Sequence, residues 1–286
     1  MQISSRWNNW QKSLVLPPAD WRSRIMLGGQ TLLIQSWGNG EPLVVVPGMA
    51  GGLPLLAPLI RELSQEFKVI GIEMREEHRL VGFRRPYGRG DLADDLVAVM
   101  DSLHLENPRV LGVSFGAVLA METAIRHPGR IQQLIIQGVG SHFENGLIPR
   151  VANMVLPHFP LPNNMPGINQ FFNLLFGKNW PDRALVNAVI RQCWQTDQGV
   201  ISERFDLVRQ FDWRHRLSNV FLPILALRGE NDVLVSRSCL SDLKIRLPCG
   251  IHKEIEGAGH LAFATHPEEF SRLVREFTCY LAQSAA

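Results

Sequence analysis

Apolar residues alternate between two spacings along most of the chain. Short apolar runs that are rich in β-branched residues and bounded by turn residues are typical of strands buried on both faces. Such runs occupy 41–48, 68–73, 109–113 and 131–137. Between them, apolar residues recur at helical spacing over about 53–66, 91–103 and 115–127. Repeated strand–helix units of this kind predict a parallel sheet with helices on both faces.

This alternation does not cover the whole chain, because a different pattern precedes it and one segment interrupts it. Before the first buried run, the stretch RIMLGGQTLLIQSWG predicts a hairpin of two strands joined at Gly28-Gly29. From about Gly140 to Asn219 the sequence indicates proline-broken loops and short apolar helices. The alternation then resumes with predicted elements at 221–229 (strand), about 236–246 (helix), 250–257 (strand) and 267–282 (helix). We therefore expect a core domain of 1–139 and 220–286, and a helical insertion of 140–219.

Composition and charge narrow the class of protein. The 286 residues are 45% apolar, which is enough to bury one sizeable core. The net charge of +2 comes from scattered side chains without a basic block, so we expect no binding to nucleic acid. Four well-separated cysteines without a C-x-x-C motif favour reduced thiols and a cytoplasmic protein. The apolar stretches are too short or too interrupted for a signal peptide or a membrane span.

The pentapeptide Gly112-Val113-Ser114-Phe115-Gly116 lies where a predicted strand becomes a predicted helix. In that context the G-x-S-x-G pattern places the serine on a tight turn, with its hydroxyl over the carboxyl end of the sheet. Open α/β sheets bind their ligands at that edge. The alternative is a buried serine in a turn that small residues tolerate. We favour a reactive serine because candidate partners follow in the sequence.

A serine hydroxyl needs a base within hydrogen-bond reach and a carboxylate that orients the base. Among nine histidines, His260 stands in the glycine-rich loop GAGHLAF between the last predicted strand and the last helix. The acid should follow the preceding strand, where LALRGENDVLVS offers Glu230 and Asp232. We select Asp232, because Glu230 follows Gly229 so closely that it should point away.

With these residues in the order Ser, Asp, His, the chain resembles the α/β-hydrolase superfamily, in its serine-nucleophile, cap-domain form, over nearly its whole length. The resemblance implies a mostly parallel sheet flanked by helices, with a helical cap inserted after the strand near 131–137. It also implies catalytic roles for Ser114 as nucleophile, Asp232 as orienting acid and His260 as general base.

The resemblance further implies an oxyanion hole made by the backbone N–H groups of Met49 and Phe115. Pro47-Gly48-Met49 stands where the family usually has His-Gly-x after its first buried parallel strand. A change of side chain at position 47 leaves main-chain donors in place. It argues only against subfamilies that use the histidine itself.

The function expected from these residues is that of a cofactor-free serine hydrolase that cleaves a small-to-medium apolar carboxylic ester through an acyl-enzyme. The same three side chains also serve carbon–carbon bond hydrolases, lyases and perhydrolases. A small-molecule receptor with residual hydrolysis is a further alternative. We expect a small-molecule substrate and no metal, because metal-ligand spacings and phosphate-binding glycine loops are missing; the oligomeric state is left open.

Apolar side chains of the insertion are candidates for the substrate pocket. They exceed what a few short helices need for their own packing. The candidates are Met154, Phe171, Phe172, Phe176 and Trp194. The alternative is that they only attach the insertion to the core. The sequence assigns no role to the tryptophan-bearing N-terminal arm or to the arginine-rich loop 75–89, which we interpret as a solvated loop.

Overall fold

The computed structural model describes residues 14–27, 30–73, 87–143, 166–177 and 183–284. The described strands form one eight-stranded sheet in the order β1-β2-β4-β3-β5-β6-β7-β8. Their bounds are β1 Trp21–Leu27, β2 Gln30–Trp37, β3 Glu41–Val46, β4 Phe67–Glu73, β5 Arg109–Val113, β6 Gln133–Gln137, β7 Ile224–Gly229 and β8 Gly250–Ile255. Strands β1 and β2 pair antiparallel, as the predicted hairpin requires, and β2 pairs antiparallel with β4. The other pairings are parallel.

Helices follow the strands as the alternating pattern predicts. In chain order they are α1 Gly52–Leu55, α2 Ala57–Leu63, α3 Arg89–Ser102, α4 Phe115–Arg126, α5 Pro166–Leu175, α6 Arg183–Cys193, α7 Gln198–Val208, α8 Arg237–Arg246, α9 Ala262–Thr265 and α10 Pro267–Ser284. Successive parallel strands are thus joined through helices, and the predicted α/β architecture is confirmed.

The apolar runs divide between the two faces of the sheet with a period of two. In β3, Leu43 and Val45 belong to one core cluster, whereas Val44 and Val46 belong to the other. The first cluster also holds the buried residues of α1, α2 and α10, and the second holds those of α3, α4 and α8. Because both faces are covered by helices, the central strands are apolar at nearly every position.

The single helix predicted over 53–66 is wrong, because the structure has two short helices there. Helix α1 ends at Leu55, and α2 begins two residues later with a proline in its first turn. Pro58 has no N–H to donate to the carbonyl of Pro54, so an α-helix cannot run through this point without losing a hydrogen bond. The proline signal was present in the sequence and should have divided the element.

The chain leaves the sheet after β6 and returns to it at β7, with α5, α6 and α7 between them. The two ends of this segment are hydrogen-bonded to each other. Phe143 N–H donates to the Phe211 carbonyl (3.1 Å), and Trp213 N–H donates to the Ser141 carbonyl (2.9 Å). This pairing ties 141–143 to 211–213 and fixes where the segment departs from the core.

The structure describes some of the tryptophans and part of the arginine-rich loop, as well as the four cysteines. Trp21 begins β1 and is exposed, whereas Trp7, Trp10 and residues 75–86 of the arginine-rich loop lie outside the described residues. All four cysteines are free thiols, and burial raises the pKa of Cys193 to about 12. Among the helices described, none has the length and apolarity needed to cross a bilayer.

A glycine-to-alanine change at Gly116 tests how closely the start of α4 approaches the end of β3. In an open helical position this change stabilises a protein by about 0.5–1 kcal/mol. Here the added Cβ would lie 2.2 Å from the Val46 carbonyl oxygen, so we expect Gly116→Ala to lower the free energy of unfolding by about 1–3 kcal/mol in urea titrations.

The matched control is Gly90→Ala in helix α3. Its added Cβ would meet only the end of the Arg126 side chain, at 3.0 Å, and this flexible, partly exposed guanidinium can move away. Gly90→Ala should therefore be neutral or stabilising. A stabilising effect at both positions would contradict the close approach at Gly116.

Candidate active site

Ser114 lies in the turn between β5 and α4, in a backbone conformation that few residues adopt. Its φ is 50° and its ψ is −114°, a combination that costs about 1–3 kcal/mol. The turn is held by a hydrogen bond from Ser114 N–H to the Gln137 carbonyl (2.8 Å). A Cβ at Gly112 would lie 2.4 Å from the Gly116 carbonyl oxygen. Glycines at positions 112 and 116 therefore allow the strand and the helix to pack this closely around the serine.

Three side chains selected from the sequence meet at the carboxyl edge of the sheet. The Nε2 atom of His260 lies 3.0 Å from Ser114 Oγ, and Nδ1 of His260 lies 2.9 Å from Asp232 Oδ2. His260 and Asp232 are buried, with 6% and 5% of their surfaces exposed. Since an ionised carboxylate only accepts hydrogen bonds, the Nδ1 atom carries the proton and Nε2 is free to accept one from the serine.

The carboxylate of Asp232 remains ionised despite its burial. Burial, the largest single influence, raises its pKa, whereas the nearby His260 and the hydrogen bond from that ring lower it. The N–H groups of Leu234 and Val235 also donate to Oδ1 of Asp232, at 2.8 and 3.2 Å. Together these interactions hold the pKa of Asp232 below its ordinary value.

Glu230, the alternative acid, points to another part of the loop. Its Oε2 accepts a hydrogen bond from Gly257 N–H at 3.0 Å, and its side chain is 41% exposed. The other oxygen of this carboxylate, Oε1, lies 4.0 Å from Nη2 of Arg237. The structure therefore brings Asp232, and not Glu230, to the imidazole of His260.

The buried residue Arg228 holds the acid-bearing loop in place. Its guanidinium donates to the main-chain carbonyls of Glu230 (3.0 Å), Asp232 (2.9 Å) and Val235 (2.7 Å). It also pairs with Glu254 at 2.8 Å. This role of Arg228 was not predicted from the sequence, although a charged side chain at the end of the apolar strand ILALRG was a signal.

Gln137 and Gly138, at the end of β6, were also missed. The side-chain N–H of Gln137 donates to the main-chain carbonyl of His260 (3.0 Å), and the main-chain carbonyl of Gln137 accepts from Ser114 N–H. Gly138 has a φ of 70°, and an added Cβ would lie 2.8 Å from Cε1 of His260. A polar residue and a glycine at the end of an apolar strand were the available signals.

The turn after β3 lies beside the serine, as the resemblance implied. A Cβ on Gly48 would lie 3.8 Å from Cβ of Ser114. Met49 follows in this turn, and Phe115, with its side chain 99% buried, is the first residue of α4. The candidate oxyanion donors thus belong to two segments that meet at Ser114.

The candidate pocket residues have different surroundings. Phe171 and Phe172 on α5 and Trp194 after α6 are half-buried and pack against the core cluster that contains the fully buried Phe176. Met154 lies outside the described residues. The end of α5 touches the histidine loop, where Leu261 N–H donates to the Leu175 carbonyl (3.2 Å).

This arrangement can transfer a proton from the serine hydroxyl to the imidazole. Oγ and Nε2 are within hydrogen-bond distance, and the buried carboxylate would stabilise the imidazolium that forms. Backbone N–H groups at the start of α4 and in the turn after β3 are suited to a developing oxyanion. Within the described ranges, His, Cys, Asp and Glu side chains form no group of three or more that could share a metal ion.

Similarity to known proteins agrees with the fold. A family model for the alpha/beta hydrolase fold matches residues 41–267. The chain is 25% identical to the putative carbamate hydrolase RutD of Caulobacter segnis, over 83% of this chain and 91% of that protein. It is 26% identical to the pimeloyl-[acyl-carrier protein] methyl ester esterase of Edwardsiella ictaluri, over 82% of this chain and 92% of that one.

A solved structure extends the same agreement. The crystal structure of a hydrolase from Pseudomonas aeruginosa PA01 superimposes with a TM-score of 0.77 at 18% identity, and covers 91% of this chain and 99% of that one. The α/β-hydrolase fold predicted from the sequence is confirmed.

Gly138 provides a test of how the imidazole is positioned. Gly138→Ala would push a methyl group against the His260 ring, so the ring must move away from Ser114 Oγ. We expect the rate of Ser114 labelling by a fluorophosphonate probe to fall by at least about tenfold, since a displaced base loses part of its catalytic contribution.

Gly129→Ala is the matched control, because Gly129 also has a positive φ (84°) but an added Cβ would meet nothing within 4 Å. Both variants should lose about 1–2 kcal/mol of stability from the strained backbone. Only Gly138→Ala should slow labelling. Equal labelling rates in the two variants would contradict this role of Gly138.

Proposed function

Because the chain belongs to the α/β-hydrolase family, we propose that it is a cofactor-free serine hydrolase that cleaves carboxylic esters. The observation that carries this proposal is the unbroken series of short distances from Asp232 through His260 to Ser114, at 2.9 and 3.0 Å. A serine in a strained turn beside a buried, oriented imidazole is the arrangement that activates a hydroxyl. A merely structural serine needs neither partner.

The proposed reaction has two halves. Ser114 Oγ attacks the ester carbonyl and His260 Nε2 takes the hydroxyl proton, while the N–H groups of Met49 and Phe115 bind the oxyanion. The tetrahedral intermediate then collapses, the imidazolium returns the proton to the leaving alcohol, and an acyl-enzyme remains. Water, deprotonated by His260, attacks the acyl group and forms a second tetrahedral intermediate. When this intermediate collapses, the imidazolium returns the proton to Ser114 Oγ and the carboxylic acid is released.

Asp232 does not exchange a proton in this scheme. Its carboxylate holds the Nδ1–H tautomer of His260 and stabilises the imidazolium. The depressed pKa of Asp232 suits this task, because the acid stays ionised through the pH range in which the imidazole must be neutral to act as a base.

The names of the relatives support an acyl carbonyl as the reacting group. One relative is named as a methyl ester esterase and another as a putative carbamate hydrolase. Both names describe a carbonyl attached to an oxygen or nitrogen leaving group. A carbamate is therefore the second candidate substrate class, and it would be cleaved by the same attack at Ser114.

We further propose that residues 140–219 form a cap over the serine and make the acyl site apolar. The contact between the end of α5 and the histidine loop supports this proposal, as do the aromatic side chains of Phe171 and Phe172 on α5, whose ring centroids lie 6.1 Å apart. Such a site excludes water from the acyl group and favours small-to-medium apolar esters.

Replacing the members of the proposed triad tests the chemistry. Ser114→Ala should lower ester turnover by at least about a thousandfold and abolish fluorophosphonate labelling, because only the nucleophile is lost. Asp232→Asn should cost nearly as much, because it favours the wrong imidazole tautomer. Rates with p-nitrophenyl butyrate, together with circular dichroism spectra, would measure both effects.

The control for Asp232→Asn is Glu230→Gln, which removes a carboxylate two residues away on the same loop. It should change turnover by no more than about twofold, since Glu230 binds Gly257 and not His260. A dead Glu230→Gln enzyme would identify Glu230 as the acid. Wild-type turnover by Ser114→Ala would refute the proposed nucleophile.

Acyl-chain length tests the apolar site. Across p-nitrophenyl esters from acetate to octanoate, kcat/KM should rise with each methylene until the cavity is full. Each added methylene should strengthen binding of the transition state by up to about 0.8 kcal/mol. Phe172→Ala should weaken this dependence.

Phe221→Ala is the control, because Phe221 is 71% exposed and lies outside the insertion. It should leave the chain-length dependence unchanged. A wild-type enzyme that is indifferent to chain length, or that prefers charged acyl groups, would refute the apolar site.

A further inference from the structure

The glycine-rich turn after β3 is bound by side chains that come from the insertion. Arg204, on α7, donates from Nη1 to the Met49 carbonyl (2.9 Å). Gln192, on α6, donates from Nε2 to the Gly51 carbonyl (3.1 Å). Thr196 accepts from Gly51 N–H at its Oγ1 (2.9 Å). All three bonds join residues more than 100 positions apart in the chain and end on the main chain of one short turn.

Two of these three side chains are deeply buried. Arg204 is 1% exposed and Thr196 is 5% exposed. A buried guanidinium is expensive to desolvate and is retained only where it is hydrogen-bonded with good geometry. Arg204 also lies with its Cζ 5.5 Å from the centroid of the Phe115 ring. It therefore contacts both residues whose N–H groups are the proposed oxyanion donors.

The turn itself needs external support to hold one conformation. Its sequence, Pro47-Gly48-Met49-Ala50-Gly51-Gly52, has three glycines, and Gly51 has a φ of 81°. Glycine has more accessible backbone conformations than any other residue, so fixing it carries a large entropic cost. Donors and acceptors that bind the carbonyl of Met49 and both polar groups of Gly51 restrict the three consecutive peptide planes from Met49 to Gly52. These planes directly follow the one that carries the Met49 N–H.

We propose that Arg204, Thr196 and Gln192 are positioning residues for the oxyanion hole. The hole then has its working geometry only when the insertion is packed against the turn after β3. The inference rests on the proposed function, because it concerns the donor at Met49 in that reaction. An oxyanion donor accelerates the reaction only if it is already aimed where the charge develops. The insertion therefore covers the acyl site and also sets the geometry in which the acyl carbonyl is polarised.

This proposal predicts a particular kinetic signature. Loss of a positioning residue should lower kcat and leave KM nearly unchanged, because the oxyanion exists only in the transition state and the tetrahedral intermediate. The affinity for a trifluoromethyl ketone, which forms a tetrahedral adduct with the serine, should fall by the same factor as kcat/KM. General destabilisation of the fold would not link these two quantities.

The test uses pairs of variants in the full-length protein. Thr196→Val keeps the shape of the side chain and removes the acceptor, whereas Thr196→Ser keeps the acceptor. Arg204→Met removes the donors, and Arg204→Lys retains one. We expect Thr196→Val and Arg204→Met to lower kcat by about 10- to 100-fold, with KM changed by less than about twofold. The conservative partners, Thr196→Ser and Arg204→Lys, should recover much of the loss.

Arg89→Met is the matched control. Arg89 also donates from Nη1 to a carbonyl of α7, and that bond, to Leu207 at 2.9 Å, ends on the helix and not on the turn. It has the same chemistry and anchors the same helix, so it should affect stability and leave kcat and the ketone affinity nearly unchanged. A loss of kcat in Arg89→Met as large as in Arg204→Met would overturn the proposal, because any loosening of α7 would then suffice.

Failure of this inference is distinguishable from failure of the proposed function. If wild-type Ser114 neither reacts with a fluorophosphonate nor turns over esters, the proposed function is wrong and this inference falls with it. If the wild-type enzyme is active but Thr196→Val and Arg204→Met keep its kcat and its ketone affinity, only the inference is overturned. A loss confined to KM in those variants would likewise overturn it.

Discussion

Main-chain contact at the serine turn is the constraint on which the rest of the site depends. A Cβ on Gly112 would overlap the main chain of α4, and a Cβ on Gly116 would lie 2.2 Å from the Val46 carbonyl oxygen. Because neither residue has a side chain, β5, α4 and the end of β3 approach to backbone contact distance. That approach brings the turn after β3 beside Ser114 and exposes the first N–H groups of α4 to the same point. The strain at Ser114, at a φ of 50°, is sustained by this surrounding packing.

The charge at the site is held by buried hydrogen bonds. Asp232 stays ionised in a dry environment because two N–H groups and the His260 ring bind its oxygens. The loop that carries it is in turn bound by Arg228, which donates to three main-chain carbonyls. Gln137 binds Ser114 through its carbonyl and His260 through its side-chain amide. Ser114, His260 and Asp232 are thus each fixed by groups on neighbouring parallel strands.

The segment between β6 and β7 touches the candidate machinery at more than one place. Its ends pair with each other beside β6, the end of α5 binds the histidine loop, and α6 and α7 bind the turn after β3. At the histidine loop the contact is again between backbones, since a Cβ on Gly259 would lie 2.4 Å from the Leu175 carbonyl oxygen. The geometry of the groups around Ser114 therefore depends on how the described part of this segment packs against the core.

The sequence by itself determined the α/β architecture and the identity of the three central side chains. Those features depend on local signals, namely the spacing of apolar residues, glycines around a strand–helix junction, and polar residues in loops after strands. The choice of Asp232 over Glu230 followed from their positions, because Glu230 comes directly after Gly229 and Asp232 is three residues beyond it. Only the tertiary structure decided which other residues keep Ser114, His260 and Asp232 and the turn after β3 in position. Arg204, Thr196 and Gln192 lie on α6, α7 or the turn between them, where polar residues are ordinary, and their partners are main-chain atoms more than 100 residues away. Backbone carbonyls and N–H groups are the same at every position, so no pattern of residue types could have identified which of them these side chains bind.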